Sequence, residues 1–284
     1  MAESGKIEAA IERLKQMKDL SGVSSPELRP ARRAAANGAP KRFASVPPEM
    51  QELPVVEYDR KRCAQHRILV PNGSGPQNPT AVSAYRQLRT RILHRARSHS
   101  WTAIGVTSPG PGQGKSVNAI NLALNIAREK NNNVFMLDLD LRNPSVCKYL
   151  GVQPPQELLG FFTGTAKPAD VFFSIGVENL MLAGSTSGID QSSELLATGR
   201  VEELFGYIRK VAPQPLIIID MPPVLSNDDA LVVAPKVDAM LVVVSEGVSR
   251  RDAVQQTLDL LGEFNLAGVL MNRSKSLVAD YYGA

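Results

Sequence analysis

Apolar residues in the last two thirds of the chain gather into short runs, separated by stretches of helical periodicity. The runs are rich in Val, Ile and Leu, which is typical of strands buried on both faces of a parallel sheet. They lie at 102–107, 134–137, 180–183, 216–219, 240–244 and 269–271. Helical spacing occupies 84–97, 116–129, 193–211 and 251–264. The pattern predicts an α/β fold with a mostly parallel central sheet flanked by helices.

The first 80 residues follow a different pattern. Residues 1–20 predict a short amphipathic helix, with apolar residues at steps of three and four and Ser4 as a candidate N-cap. So short a helix is marginal alone, which leaves packing on this chain and docking to a partner or a membrane surface both open. Residues 21–80 hold nine of the twenty prolines and predict a basic linker with a short strand at 67–70.

Charge is distributed unevenly along the chain. Residues 1–100 carry 18 Lys and Arg against 9 Asp and Glu, whereas residues 101–284 carry 14 against 19. The formal net charge of +4 therefore averages a basic front part and a mildly acidic remainder. A basic linker can bind nucleic acid, attract anionic lipid or an acidic partner, or act as a solvated spacer. Because it lacks interleaved aromatic residues, the first of these is disfavoured.

Several classes of protein are excluded by composition. No apolar run reaches the ~18 residues of a membrane-spanning helix, and the N-terminal stretch lacks the apolar core of a secretory signal. Two cysteines cannot build a disulfide framework. We therefore expect a protein of the reducing cytoplasm.

A glycine-rich loop joins the first predicted strand to the helix that follows it. The residues that we expect to bind phosphate are Gly110, Pro111, Gly112, Gln113, Gly114, Lys115 and Ser116. Glycines let backbone N–H groups approach a phosphate, and a helix N-terminus favours an anion. Lys115 would neutralise phosphate charge, and the Ser116 hydroxyl would bind Mg²⁺. Pro109 departs from the usual P-loop spacing, because it stands where the first glycine is expected.

Acidic residues end two of the predicted strands. Asp138 and Asp140 follow one apolar run and would point to the same side of an extended chain, with Arg142 two residues further on. Asp220 ends another run. Carboxylates at the carboxyl ends of parallel strands are costly unless they bind a cation, and open α/β sheets bind ligands at this edge. The alternative is that these acids cap helices or pair with Arg142, but three acids beside a phosphate loop favour a nucleotide site with a metal.

Together these motifs resemble the bacterial tyrosine kinases (BY-kinases) of capsule and exopolysaccharide export. The resemblance covers about residues 67–284 and implies a P-loop NTPase fold of the partitioning-ATPase type. The matching segments are SPGPGQGKS at 108–116, LDLDLR at 137–142, IIIDMPP at 217–223, AYRQLRTRI at 84–92 and a C-terminal tyrosine pair. The N-terminal IEAAIERLK is similar to tyrosine autokinases of exopolysaccharide loci associated with exosortase sorting.

A second family with this fold comprises the partitioning and division-site ATPases. Their signature lysine would fall at position 110, where this chain has Gly110. They also lack a tyrosine-bearing tail. Both differences favour an ATP-dependent protein-tyrosine autokinase that regulates exopolysaccharide or capsule synthesis and export. The alternatives are a non-kinase P-loop ATPase switch and a nucleotide-binding scaffold of an export complex.

The resemblance implies ATP and Mg²⁺ as cofactors and a role for each residue of the site. The expected catalytic residues are Lys115, Asp138, Asp140, Arg142 and Asp220, and the expected metal residues are Ser116, Asp138 and Asp220. Asp140 is the candidate for accepting or orienting the proton of a tyrosine hydroxyl. Arg142 would orient these acids or the incoming phosphate, or else form a structural ion pair. Asn272 would contact adenine or serve as a turn residue.

The resemblance also implies an assembly. We expect a kinase domain at 81–272 and a tail at 273–284, whose Tyr281 and Tyr282 are phosphorylated by a neighbouring subunit; a merely frayed end is the alternative. Arg86 and Arg89 match the family's assembly helix, although Ser83 replaces its glutamate.

The expected partners follow from the same resemblance. They are further copies of the chain, the cytoplasmic segment of a membrane polysaccharide co-polymerase and a cognate tyrosine phosphatase, and no nucleic acid is expected. Through such a partner the protein would lie at the inner face of the plasma membrane.

Overall fold

A computed structural model describes residues 52–70, 78–129 and 132–274. The chain divides into two compact units, Met1–Phe43 and Ala44–Ala284, and every described residue belongs to the second. The predicted helix at 1–20 and the tail residues Tyr281 and Tyr282 lie outside the described residues. Within the described ranges, none of the helices combines the length and apolarity needed to cross a membrane.

Six parallel strands form the central sheet, as the apolar runs predict. They are β1 Ala103–Thr107, β2 Asn133–Asp138, β3 Leu180–Ala183, β4 Pro215–Asp220, β5 Ala239–Ser245 and β6 Leu266–Asn272. Their order across the sheet is β3-β2-β4-β1-β5-β6, and every neighbouring pair is parallel. Strands β1 to β5 are buried along their whole length, because helices cover both faces. The predicted fold class is therefore confirmed.

The described helices connect and cover these strands. They are α1 Arg60–Gln65, α2 Pro79–His99, α3 Lys115–Ala127, α4 Val146–Leu150, α5 Leu158–Phe162, α6 Ser192–Ala197, α7 Arg200–Val211, α8 Asp229–Val233 and α9 Arg251–Leu260. The single helix predicted at 193–211 is wrong, because α6 and α7 are separate. Thr198 is extended with ψ 161° and Gly199 begins the second helix as its N-cap, so the helical hydrogen bonds stop between them.

The basic helix predicted at 84–97 is α2, which begins earlier than predicted. Asn78 accepts a hydrogen bond from the Thr80 N–H at 3.0 Å, and Pro79 occupies the first helical position, where its missing N–H costs nothing. Ser100 ends the helix in the left-handed conformation. Its apolar stripe, which includes Ile92 and Leu93, packs into the core.

Residues 52–70, which fall in the predicted linker, pack against the domain instead. The Val56 N–H donates to the Ser174 carbonyl at 2.8 Å, and the Asp59 N–H donates to the Leu150 carbonyl at 2.9 Å. Cys63 is completely buried. The linker prediction is therefore wrong for this segment, because Cys63, Ile68 and Val70 are buried in the hydrophobic core.

The strand predicted at 67–70 does not form. Arg67 has a φ of 58°, in the left-handed region, which is incompatible with a strand. The Leu69 N–H donates to the Asn121 side chain at 2.7 Å, and the Asn121 amide donates to the Arg67 carbonyl at 3.0 Å. A side chain of α3 thus replaces the neighbouring strand as hydrogen-bond partner.

The register of the sheet brings three chain segments together at one edge. Val106 lies opposite Asp220 across the β1–β4 pair, and Asp138 lies opposite Asp220 across the β2–β4 pair. The glycine-rich loop and both acidic strand ends therefore meet at the carboxyl edge of the three central strands.

Candidate functional site

The glycine-rich loop joins the end of β1 to the first residue of α3. Gly112 and Gly114 have φ values of 72° and 92°, which favour glycine. A Cβ at Gly114 would also collide with the amide of Asn272. The Thr107 hydroxyl donates to the Pro222 carbonyl at 2.6 Å and so holds the start of the loop against the segment that follows β4. The loop can thus present backbone N–H groups and a helix N-terminus to an anion.

Polar side chains brace this loop from the β5 and β6 side. The Gln113 amide nitrogen donates to the Ser249 hydroxyl at 2.7 Å, and its oxygen accepts from the Gly110 N–H at 3.2 Å. The Asn272 amide donates to the Gln113 carbonyl at 2.9 Å, and the Arg273 guanidinium donates to the Gly112 carbonyl at 3.0 Å. Asn272 lies at the end of β6 beside the phosphate loop, and its contact with adenine stays a prediction.

Lys115 lies at the centre of a cluster of buried acids. Its Nζ is 2.7 Å from Asp140 Oδ2 and 3.4 Å from Asp220 Oδ1, and it donates to the Ser116 hydroxyl at 3.3 Å. Burial would lower the pKa of the Lys115 ammonium, but the carboxylates of Asp220 and Asp140 outweigh this effect and raise it above the ordinary value. The lysine is therefore a permanent cation behind the phosphate loop.

Asp138 faces the start of α4. One of its oxygens accepts hydrogen bonds from the Ser145 and Val146 N–H groups at 2.8 and 2.9 Å, and the other accepts from the Asp140 N–H at 3.2 Å. Burial and the nearby Asp220 raise the pKa of this carboxyl above its ordinary value. These contacts are those of a residue that caps a helix, which is one of the alternatives that the sequence leaves open. A role of Asp138 at a metal stays a prediction.

A chain of hydroxyl groups connects Asp220 to the loop. Ser145 Oγ donates to Ser116 Oγ at 2.8 Å and lies 3.4 Å from Asp220 Oδ2. Burial raises the pKa of Asp220, and the ammonium of Lys115 opposes that effect. Ser145 was not among the predicted site residues, although its position just before the short apolar stretch of α4 is a recognisable N-cap signal.

Arg142 points away from the Lys115 cluster. Its Nε donates to the Ser192 hydroxyl at 2.9 Å and lies 3.4 Å from Asp229 Oδ2. These contacts describe Arg142 as one member of a structural ion pair, which is one of the roles that the sequence leaves open for it. Ser192 and Asp229 were not predicted, because nothing local in the sequence connects three segments that are 37 to 87 residues apart.

Arg86 and Arg89, which the resemblance assigns to assembly, lie on α2. Arg86 is exposed, and no side-chain partner for it is found among the described residues. Arg89 Nε is 3.1 Å from Glu129 Oε1, and its Nη1 donates to the Asn125 carbonyl at 3.4 Å. Arg89 therefore has an acidic partner within its own chain, and its place in an oligomer stays a prediction.

The donor set suits Mg²⁺ held together with a nucleotide rather than a metal held by protein alone. Among the described residues, no group of three or more His, Cys, Asp or Glu side chains has the arrangement of a metal cage. Magnesium usually keeps several waters and binds one or two carboxylates together with substrate phosphates. The Ser116 hydroxyl and the carboxylate of Asp220, beside a loop of backbone donors, fit that requirement.

Comparison with known proteins connects this geometry to a family. A family model described as ParA, with the description NUBPL iron-transfer P-loop NTPase, matches residues 101–280. Tyrosine-protein kinase CpsD of Streptococcus pneumoniae serotype 4 is 32% identical over 185 residues, which cover 63% of this chain and 78% of that protein. Tyrosine-protein kinase YwqD of Bacillus subtilis strain 168 is 26% identical over 201 residues, which cover 70% and 84%.

Solved structures resemble the fold over a similar extent. The kinase domain of Escherichia coli tyrosine kinase ETK matches with a TM-score of 0.62 and 25% identity, covering 72% of this chain and 80% of that one. The region that the family model matches, residues 101–280, includes the phosphate loop, both acidic strand ends and the Arg142 ion pair.

Proposed function

The chain belongs to the ParA-type P-loop NTPases and, within them, to the bacterial tyrosine kinases, and we propose that it transfers the γ-phosphoryl group of ATP to its own Tyr281 and Tyr282. As a P-loop NTPase it binds nucleotide. The observation that carries the proposal is the Lys115 ammonium held behind the phosphate loop, 2.7 Å from the buried carboxylate of Asp140. The ammonium of Lys115 suits the negative charge of the phosphate, and the carboxylate of Asp140 suits the tyrosine hydroxyl that attacks the phosphate.

The chain's contribution to the reaction is positioning and charge. Backbone N–H groups of residues 110–116 would bind the phosphates, and Lys115 would offset negative charge between the β- and γ-phosphates. The loop is already braced through Gln113 and Asn272, so little reorganisation is needed when it binds.

The Mg²⁺ site would be formed by Ser116 directly and by Asp138 and Asp220, which hold the ion or its waters. When bound, the ion neutralises charge on the transferred phosphate. Asp220 suits this role, because Ser145 and Ser116 connect its carboxylate to the start of α3. Asp138 would act from further away, since its oxygens already accept backbone N–H groups.

Asp140 is the proposed acceptor of the tyrosine proton. One of its oxygens accepts from the Asn143 N–H at 3.1 Å, which fixes the carboxylate, and the other faces Lys115. A free tyrosine has a pKa of about 10, so a carboxylate assists only when it is held close to the hydroxyl. The fixed orientation of the Asp140 carboxylate supports such a close approach to the hydroxyl.

The acceptor tyrosines belong to a neighbouring copy in this proposal. The 12 residues after Asn272 span at most about 40 Å when extended, which reaches an adjacent site. Each phosphorylation adds about −1.5 to −2 charge, which disfavours renewed docking beside buried carboxylates and loosens the oligomer. Arg86 and Arg89 would contribute to the contact between copies, with Ser83 altering it from the family's pattern.

The biological role proposed is control of exopolysaccharide or capsule synthesis and export. The cytoplasmic segment of a membrane polysaccharide co-polymerase would activate the kinase and hold it at the inner face of the plasma membrane. A cognate tyrosine phosphatase would reverse the modification. The excess of Lys and Arg in residues 1–100 supports contact with an acidic partner or with anionic lipid.

Incubation of the purified chain with ATP and Mg²⁺ tests this proposal. Phosphotyrosine should appear in the tail, and Tyr281→Phe/Tyr282→Phe should remove it while ATP binding is kept. A Lys115→Met chain with an intact tail, mixed with an active chain that lacks both tyrosines, should become labelled in trans. Absence of labelling in the wild type, or unchanged labelling in the double Phe variant, would contradict the assignment.

A second candidate function follows from the match to the ParA family model. A P-loop ATPase switch would hydrolyse ATP without forming phosphotyrosine, so the same incubation distinguishes it, whereas a pure scaffold would bind nucleotide with negligible turnover. The iron transfer named in that model's description is not favoured by the cysteines. The chain has two, and Cys63 and Cys147 are both buried free thiols.

A further inference from the structure

Three segments of the domain converge on one ion pair beside the proposed acceptor site, in which Asp229 is fully buried and Arg142 is partly exposed. Arg142 lies two residues after Asp140, Ser192 begins α6 and Asp229 begins α8. Arg142 Nε donates to Ser192 Oγ at 2.9 Å and lies 3.4 Å from Asp229 Oδ2, while Ser192 Oγ donates to the same Oδ2 at 2.6 Å. Ser192 and Asp229 are both 0% exposed.

The charge of Asp229 depends on Arg142. Its second oxygen, Oδ1, is buried and has no hydrogen-bond partner among the described residues. A buried carboxylate without compensation is costly, and removal of one partner of such a pair leaves the other uncompensated. Burial raises the pKa of Asp229, whereas Ser192 and Arg142 oppose that shift. The pair therefore holds together as a unit.

Arg142 is in turn part of the loop that carries Asp140. The Asn143 N–H donates to both the carbonyl and the carboxylate of Asp140, each at 3.1 Å, so the side chain of Arg142 projects from within a closed turn. On the other side, the Ile189 N–H donates to the Leu141 carbonyl at 2.8 Å. A Cβ at Gly188 would collide with the Arg142 carbonyl, so the loop has no space to shift in that direction.

We infer that Asp229 and Ser192 are positioning residues, which hold Arg142 and thereby keep Asp140 in place against Lys115. The inference rests on the proposed function only in taking Asp140 as the residue that receives the tyrosine proton. It assigns Arg142 an indirect role, because its guanidinium contacts Asp229 rather than the acids of the site. It also connects two strand ends, since Asp229 follows Asp220 by nine residues, at the start of the helix that comes after β4.

Kinetics of Asp229→Asn, with the full chain, ATP and Mg²⁺, test the inference. The amide keeps the shape and still accepts from Ser192 but loses the charge that fixes Arg142. Displacement of a reacting group by about 1 Å can cost about 100-fold in rate, so we expect a fall in kcat of about 10- to 100-fold. The KM for ATP and the Kd for Mg·ADP should stay within about twofold, since neither Asp229 nor Arg142 touches the phosphate loop. An unchanged kcat would overturn the inference.

Three further variants separate positioning from mere stability. Ser192→Ala removes no charge and should lower kcat about three- to tenfold. Its melting temperature should fall by only a few degrees, so the chain stays folded in the assay and still tests the inference if Asp229→Asn fails to fold. Adding Asp229→Asn to Arg142→Met should cause no further loss, because both act through the same contact. Additive losses would overturn the inference. Glu202→Gln, which breaks the remote ion pair with Lys236, is the matched control and should leave kcat unchanged.

The same experiment distinguishes failure of the inference from failure of the proposed function. If the wild type forms no phosphotyrosine, the proposed kinase reaction fails. The same kcat comparison is then made on ATP hydrolysis, where Asp140 would orient the attacking water, and equal rates in wild type and Asp229→Asn overturn the inference. If the wild type forms phosphotyrosine and Asp229→Asn does so equally fast, the inference alone fails.

Discussion

Two clusters of buried charge lie at the same edge of the sheet, and their charge balance differs. Lys115 contacts Asp140 and Asp220, and Asp138 is close enough to raise its pKa, so one ammonium faces three carboxylates. Arg142 faces one carboxylate, Asp229, and one hydroxyl. The first cluster has an excess of negative charge that a bound metal ion can relieve. The second is balanced and suits a scaffold.

This difference in charge balance explains why a basic residue beside buried acids can serve ligand binding in one cluster and structural support in the other. An ion pair of matched charge keeps both of its groups compensated while it is intact, so it can brace a loop without any ligand. An unbalanced cluster is unfavourable alone, and binding of a cation relieves it. Substitutions in the two clusters should therefore have different effects.

The largest effect is expected at Lys115. Lys115→Met should lower phosphotyrosine formation by about 1,000-fold or more, because it removes the cation at the phosphates. Labelling of the tail with radioactive ATP measures this loss. Arg142→Met serves as the comparison and should cost less, since its guanidinium contacts Asp229 rather than the phosphate loop. Equal losses in the two variants would contradict the distinction between the clusters.

The next effect concerns Asp140 alone. Asp140→Asn should lower kcat by about 100- to 1,000-fold, because general-base assistance contributes about that much. Fluorescent ADP should still bind within a few-fold of the wild type, because the loop and Lys115 remain. If binding is lost together with kcat, Asp140 acts on the nucleotide rather than on the tyrosine.

A smaller effect is expected in the pH dependence of stability. Burial raises the pKa values of Asp138 and Asp229 in the folded chain, so the folded state binds more protons than the unfolded one. The free energy of unfolding should therefore fall as pH rises from about 4, the ordinary carboxyl value, through the raised values. Scanning calorimetry without nucleotide should give a melting temperature several degrees lower at pH 8.5 than at pH 6.

Variants assign this pH dependence to the two clusters. Asp138→Asn should remove more of it than Asp229→Asn, because Asp138 also faces the charge of Asp220, whereas Arg142 and Ser192 partly stabilise ionised Asp229. The reverse order would show that the Arg142 cluster, and not the Lys115 cluster, holds the excess charge.

The last prediction concerns the two thiols, which lie outside both clusters of charge. Burial and Asp59 raise the pKa of Cys63 to about 11, and burial and Asp138 raise that of Cys147 to about 12. Native protein at pH 8 should therefore react with a thiol reagent at least about 100-fold more slowly than unfolded protein. Asp138→Asn should speed the labelling of Cys147 slightly and leave Cys63 unchanged. Single Cys→Ala variants identify which thiol reacts, and fast labelling of native Cys63 would contradict the packing of residues 52–70.

Much of the fold was predictable because the information is local. Each apolar run from 102 onward corresponds to a strand, and the loop glycines, Lys115, Asp138 and Asp220 stand where a strand ends or a helix begins. The burial of a strand, the geometry of a turn and the spacing of phosphate-loop residues all depend on residues that are close in sequence. The pattern of hydrophobic and polar positions therefore identifies these features.

The amino-acid sequence alone is enough to identify the strands, the phosphate loop and the acids at the ends of β2 and β4. The packed fold was needed to show that Cys63 and residues 68–70 are buried in the core, that Ser145 links Ser116 to Asp220, and that Arg142 faces Asp229 rather than the acids beside Lys115. The physical reason is distance along the chain. A contact between residues 37 to 87 positions apart leaves no local pattern, and a buried carboxylate becomes apparent only when the segments that neutralise it are packed together.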